Sequence, residues 1–280
     1  MGSNFIQGWN FGFIRPIVGP DEYYSDAIKI INPGAFLSGF MRLQPYLLIH
    51  SRSHPPGAVL LIYFLVRYLG SPAAAPGAIA IFSTIITSVF FYRLLKSEKT
   101  KELSGFLTLL LLLVPSIQIY YLASIDAVAS SMLIASVSLF ITSKLLTVLS
   151  ALFLFIASFL DFGFLFTIPV IVAVEWLWTR KVTRSVTVVL IQVVFYLLIY
   201  SISGFNYLGA FRQASQIENP NGFMLLSNPI NYIMTRIEDI AEIIFFLGPL
   251  LTYFGIRSFI NHGFKRRFIQ IASSESDRSS

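Results

Sequence analysis

From residue 74 onward, apolar stretches of bilayer length follow one another with only short polar gaps between them. A hydrocarbon core about 30 Å thick needs about 20 helical residues at a rise of about 1.5 Å each. Residues 74–95 meet that length, and 103–121 return, with a kink expected at Pro115 and an interfacial aromatic belt at Tyr120 and Tyr121. Residues 127–143 make the next crossing. Residues 145–178 would be roughly 50 Å long as a single helix, so the interruption Leu160-Asp161-Phe162-Gly163 is expected to turn the chain between two short crossings. Residues 185–201 and 240–260 bring the expected total to about seven crossings. Residues 58–69 are apolar but only about 18 Å long, and are expected to lie at the interface or re-enter.

The first 56 residues have a different texture. Pro16, Pro20, Pro33, Pro45, Pro55 and Pro56 break any long helix, leaving room for short ones such as 22–31 and 36–50. A second polar-containing loop, 204–236, carries Arg212, Gln213, Gln216, Glu218 and Arg236, and the chain ends in a basic and then Ser-rich tail. Three regions follow: an extracytoplasmic segment over 1–73, a transmembrane bundle over 74–260 with its outer loop, and a cytoplasmic tail over 261–280 expected to be disordered.

Composition agrees with an all-α integral membrane protein. Of 280 residues, 55% are hydrophobic and only 12% charged, too few charges for a fully wetted surface. The net charge of +6 does not point to nucleic acid, because Lys and Arg gather in the gaps between apolar spans. With Arg93 to Lys101 on the cytoplasmic side, alternation puts Lys144, Arg180 to Arg184 and Lys265 to Arg267 there as well. The same count puts Asp126, Asp161 and the 204–236 loop outside, and residues 1–73 as well provided that 58–69 does not cross, since a crossing there would turn Asp21 and Glu22 inward. No Cys is present, so disulfides and thiolate metal sites are excluded. No cleavable signal peptide is visible, so a translocated N-terminal segment leads to the expectation of a missing first helix and an incomplete chain, with a genuine N-out protein as the alternative.

Acidic residues at the outer ends of spans carry the candidate chemistry. Asp21 and Glu22 can take a proton from an attacking hydroxyl or hold a divalent cation; equally, two acids after Pro20 favour the positive end of a helix dipole. Asp126, at the lip of a span, needs water or a partner, or else serves as the N-cap of 127–143. His54 can meet a phosphate or a metal, or can be a structural residue. Arg212 and Arg236 can clamp a phosphate, although Arg236 also has Glu238 and Asp239 within pairing distance along a helix. Asp161 reads as a turn residue, and Glu175 as a boundary residue at the cytoplasmic interface, on the wrong side for the site.

Asp21-Glu22-Tyr23-Tyr24, then about thirty residues later His54-Pro55-Pro56-Gly57, a short apolar segment ending in Leu69-Gly70, and a helix ending in basic residues together resemble the GT-C membrane glycosyltransferases. The branch with the protein O-mannosyltransferases and the lipid A aminoarabinose transferases is the most similar, and Pro115, Tyr121 and Asp126 fit its second acid. The resemblance implies a multi-pass cell-membrane enzyme that moves a sugar from a polyprenyl-phosphate carrier to an acceptor on the extracytoplasmic face. It implies Asp21, with Glu22 beside it, as the general base or as metal-associated carboxylates. It further implies Asp126 as the second acid, and His54, Tyr24 and Arg212 as substrate contacts. The family's first helix, later helices and C-terminal soluble domain are not matched. Two other readings remain: a non-catalytic membrane protein or degenerate transferase fragment, and a transporter, which the apolar mid-span positions disfavour.

Overall fold

The computed structural model describes residues 13–257, with the exception of 121, 122, 221, 223, 249, 250, 254 and 255 and of the side chains of 119 and 120. The expected aromatic belt at Tyr120 and Tyr121, the basic run to Arg267 and the Ser-rich tail lie outside the described residues. Every described element is helical, with no strand among the described residues. Two compact units form, one from the described parts of Met1–Leu113 and Ile117–Gly222, the other from those of Val114–Ser116 and Phe223–Ser280.

The proline-punctuated start of the first unit folds as a chain of short helices: α1 (Arg15–Val18), α2 (Tyr23–Ala27), α3 (Pro33–Leu43), a 3-10 turn (Gln44–Tyr46), α4 (Ile49–Ser53) and α5 (Pro56–Leu69). The helix expected over 36–50 stops early, because Pro45 lacks the N–H that would continue it. Its start is set by Asn32, whose side chain accepts from Ala35 N at 3.1 Å just ahead of Pro33. Helix α5 does not simply lie on the interface. Its first half is buried in the core, from Pro56 to Leu60 and at Ile62.

Next come α6 (Ala74–Lys96), α7 (Lys101–Leu112), α8 (Pro115–Tyr120), α9 (Ile125–Thr142), α10 (Thr147–Leu160), a 3-10 turn (Phe162–Phe166), α11 (Thr167–Thr179), α12 (Thr183–Ser203) and α13 (Tyr207–Glu218). Among the described residues four helical segments are long and apolar enough to cross a membrane: Ala74–Lys96, Ile125–Thr142, Phe162–Thr179 and Thr183–Ser203. They match four of the expected crossings. Of the remaining three, 103–121 is broken between Leu112 and Pro115 rather than merely kinked, and α10 is a 14-residue helix of about 21 Å. The third differs more. In the second unit, α15 (Pro229–Leu247), preceded by α14 (Met224–Ser227), starts well before residue 240 and stops at Gly248, whose φ of 90° only glycine adopts readily. Arg236 pairs there with Asp239 at 2.8 Å and lies over the Tyr232 ring.

Helix α9 is the centre of the first unit: 61% of its apolar window is buried, against 17% in each of the other three spans. Small residues on α9 and α10 allow the two backbones to approach, and Ser150 Oγ donates to Ser136 O at 2.8 Å across the contact. Gln192 of α12 donates to Ala151 O at 2.6 Å. The outward faces are apolar instead of polar, with Ile81, Phe82, Ile85 and Val89 on α6 and Leu190, Val193, Val194 and Leu197 on α12 all exposed. Faces of that kind suit hydrocarbon rather than water.

The two ends of the bundle differ in charge. At one end Arg93 Nε donates to Thr142 Oγ1, and Arg184 donates to Thr147 Oγ1, Ser143 O and Phe140 O. Glu175, expected at a boundary, is instead buried at this end and accepts from Arg184 N, Ser185 N and Ser185 Oγ. Because α9 runs away from this end to its start and α10 runs back, Asp126 and Asp161 meet at the other.

Candidate functional site

Three sequence stretches converge at the acidic end. Asp126 is the second residue of α9, and it is not the N-cap: Ser124 is, with its Oγ accepting from Ala127 N at 3.1 Å. Asp161 sits between α10 and the 3-10 turn. One of its oxygens accepts from Gly163 N at 2.7 Å, which is the expected turn role, while the other lies 3.7 Å from His54 Nε2. The turn reading therefore described only half of this side chain.

His54 arrives through its own local sequence. It ends α4 in an extended conformation, Pro55 continues extended, and Pro56 opens α5 at a position where no N–H is needed. Gly57 then lets the start of α5 pass the end of α10, because a Cβ there would lie 2.1 Å from Phe159 O. Phe159 is two residues before Asp161, so the close passage carries His54 to that carboxylate. His54 Nδ1 is 3.0 Å from His50 O and 3.2 Å from Ser53 Oγ. A carbonyl oxygen only accepts, so Nδ1 is assigned the proton and Nε2 faces the acids.

Glu22 and His50 form the second layer. His50 Nε2 lies 3.9 Å from Glu22 Oε1, and the Tyr23 ring packs between the imidazoles at 6.1 Å from His50 and 5.6 Å from His54. Burial pushes the Glu22 carboxyl above its ordinary range; His50 opposes that, Asp21 adds to it, Arg15 opposes and Asp126 adds. Burial also raises the Tyr23 phenol, reinforced by the charges of Asp126, Asp161 and Glu22, so it stays a neutral donor.

Of the residues singled out from sequence, Glu22, His54 and Asp126 come together. Asp21 is exposed beside Glu22, which occupies the N-cap position of α2 without a side-chain bond to the helix. Tyr24 is half-buried against the core. Arg212 is exposed on α13, and among the described residues no ion pair joins it to the acids. Asp21 and Glu22, expected from sequence to hold a metal, belong to no group of three or more such ligands among the described residues. Among the described residues the group able to do so is His54, Asp126 and Asp161, whose ligand atoms lie within 4.8 Å of one another. Asp161, His50 and Tyr23 were missed from sequence, although the i, i+4 spacing of the two histidines and the shared outer end of two acids were visible in it.

Aromatic packing fixes the rim. Phe162 meets Tyr207 and Phe211 of α13 at 5.2 and 5.5 Å, and Tyr207 donates to Ser158 O at 2.9 Å. Gln44 donates to both Arg52 O and Ala210 O, tying α4 to the same helix. The chain matches no protein-family model, no curated protein and no solved structure.

Proposed function

We propose that this chain moves a sugar from a polyprenyl-phosphate carrier to an acceptor at one face of the membrane, within a helical bundle of the GT-C kind. The observation that carries the reading is the convergence of Glu22, His54 and Asp126. These residues come from the three separate stretches on which the resemblance rests, and they meet at the end of the bundle opposite Arg93 and Arg184. By the positive-inside rule that acidic end is extracytoplasmic.

In this reading Glu22, rather than the exposed Asp21, is the base. A carboxylate whose burial raises its proton affinity takes the acceptor's hydroxyl proton more readily at neutral pH. The acceptor oxygen bonds to the anomeric carbon as the bond from that carbon to the phosphate oxygen breaks, and the prenyl phosphate leaves with the electron pair. The neutral Tyr23 phenol donates into the site without adding charge. A groove of about 360 Å³ lined by Ile28, Ile30, Ile31, Tyr63, Val66 and Arg67 offers the carrier an apolar bed with one guanidinium at its edge.

Transfer of radiolabel from a prenyl-phosphate sugar to membrane acceptors tests the reading. Membranes containing the wild-type chain are expected to transfer label, and Glu22→Gln or Asp126→Asn to abolish transfer while insertion persists. No transfer by the wild type, or equal transfer by Glu22→Gln, overturns it.

A further inference from the structure

We infer that His54, Asp126 and Asp161 form a binding site for one divalent transition-metal cation, distinct from the Asp21 and Glu22 pair. Three observations carry it. The first is spacing: ligand atoms within 4.8 Å of one another need only a small contraction to surround a cation at bonds of about 2.1 Å, which separate neighbouring ligands by about 3 to 4 Å. His54 Nε2 and Asp161 Oδ2 are already 3.7 Å apart, too far for a hydrogen bond and suited to two ligands of one ion.

The second is the direction of the imidazole. With Nδ1 donating to His50 O, His54 presents its other ring nitrogen, Nε2, toward two carboxylates, the nitrogen through which an imidazole so oriented ligates a metal. At 3.7 Å from Asp161 Oδ2 that nitrogen makes no direct hydrogen bond to the carboxylate, and the gap is one that a cation can fill. The third is support from outside the cluster. Histidines that bind metals are oriented by a bond from the other ring nitrogen to a backbone carbonyl, and ligating carboxylates by a bond to their second oxygen. His54 has the first through His50 O, and Asp161 has the second through Gly163 N.

The donor set selects the ion. One imidazole and two carboxylates supply two negative charges and no thiolate, which favours Zn²⁺, Mn²⁺ or Co²⁺ over Ca²⁺ and Mg²⁺. Three protein ligands leave coordination positions open, so the cation can take oxygens of a phosphate group. Only that last step rests on the proposed sugar transfer.

The test uses the full chain in detergent, stripped with a chelator and titrated with Mn²⁺ alone, free Mn²⁺ being read by electron paramagnetic resonance. One saturable Mn²⁺ per chain is expected, competed by Zn²⁺. Asp161→Asn keeps an oxygen for Gly163 N and is expected to weaken binding at least about tenfold, as is His54→Gln. Asp21→Asn is expected to leave affinity unchanged. Absence of stoichiometric Mn²⁺, equal affinity in Asp161→Asn and His54→Gln, or loss confined to Asp21→Asn overturns the site. Metal bound at these three residues in a chain that transfers no sugar sustains the site and sinks only the transfer reading.

Discussion

The backbone of Gly57 passes so near Phe159 that a Cβ on Gly57 would lie 2.1 Å from the Phe159 carbonyl oxygen and 2.6 Å from its ring. This contact sets the distance between the start of α5 and the end of α10, and through them between His54 and Asp161. Gly57→Ala must push the two helices apart. Overpacking of this kind costs about 1–3 kcal/mol. The expected result is a lower thermal midpoint in detergent together with weaker Mn²⁺ binding. A Gly57→Ala chain that melts and binds like the wild type would show that the close passage does not position His54.

Glu22 gives the stability of the chain a definite dependence on pH. Its carboxyl is raised by burial in the folded state, with His50, Asp21, Arg15 and Asp126 facing it. The unfolded chain has the ordinary value, so as pH rises through that value the unfolded state loses its proton first. The stabilising contribution is therefore present below the unfolded pKa and is lost as pH rises toward and through the raised one. In chelated protein, Glu22→Gln is expected to flatten this decline. The acid limb of sugar transfer, where Glu22 must be ionised, should lie above the range of an exposed carboxylate. Parallel stability curves for wild type and Glu22→Gln would remove Glu22 as the source.

Glu175 caps a helix from a distance. Val182 stands at the N-cap of α12 and has no side chain to offer, while Glu175 accepts from the first-turn amides of Arg184 and Ser185 at 3.0 and 2.7 Å. Glu175→Ala strands buried donors and is expected to destabilise the chain by about 1–3 kcal/mol. Since Glu175 lies at the end opposite Asp126, Mn²⁺ affinity at a temperature well below melting should not change. A loss of metal affinity without a loss of stability would contradict the separation of the two ends.

Much of this arrangement was legible along the chain. Apolar length alone separated α10 from α11 at Asp161, and charge alone sorted Arg93 and Arg184 from Asp126, because both signals are local. What escaped was decided by contacts between distant segments. Asp161 satisfies a turn with one oxygen and faces His54 with the other, and only the approach of α5 reveals the second role. Asp21 and Glu22 are equivalent in sequence, yet only Glu22 reaches His50. At Asp126 the capping reading failed because Ser124, two residues earlier, already fills the position. Gly248 interrupts an apolar stretch whose length gave no sign of a break, although a glycine followed in sequence by Pro249 is a recognised stop.

The direction in which the acidic end faces is testable because the chain has no Cys. Lys29 is an exposed side chain in the segment that carries Glu22, and Ser97 is exposed in the gap that follows α6, beside the basic residues. Lys29→Cys and Ser97→Cys each supply a single thiol for a membrane-impermeant maleimide. If the positive-inside rule governs this chain, Lys29→Cys reacts on intact cells and Ser97→Cys reacts only after the membrane is opened. The opposite pattern would leave the cluster of Glu22, His54, Asp126 and Asp161 intact but turn it toward the cytoplasm. An acceptor on the outer face would then be out of reach of Glu22, and the proposed transfer would have to be abandoned.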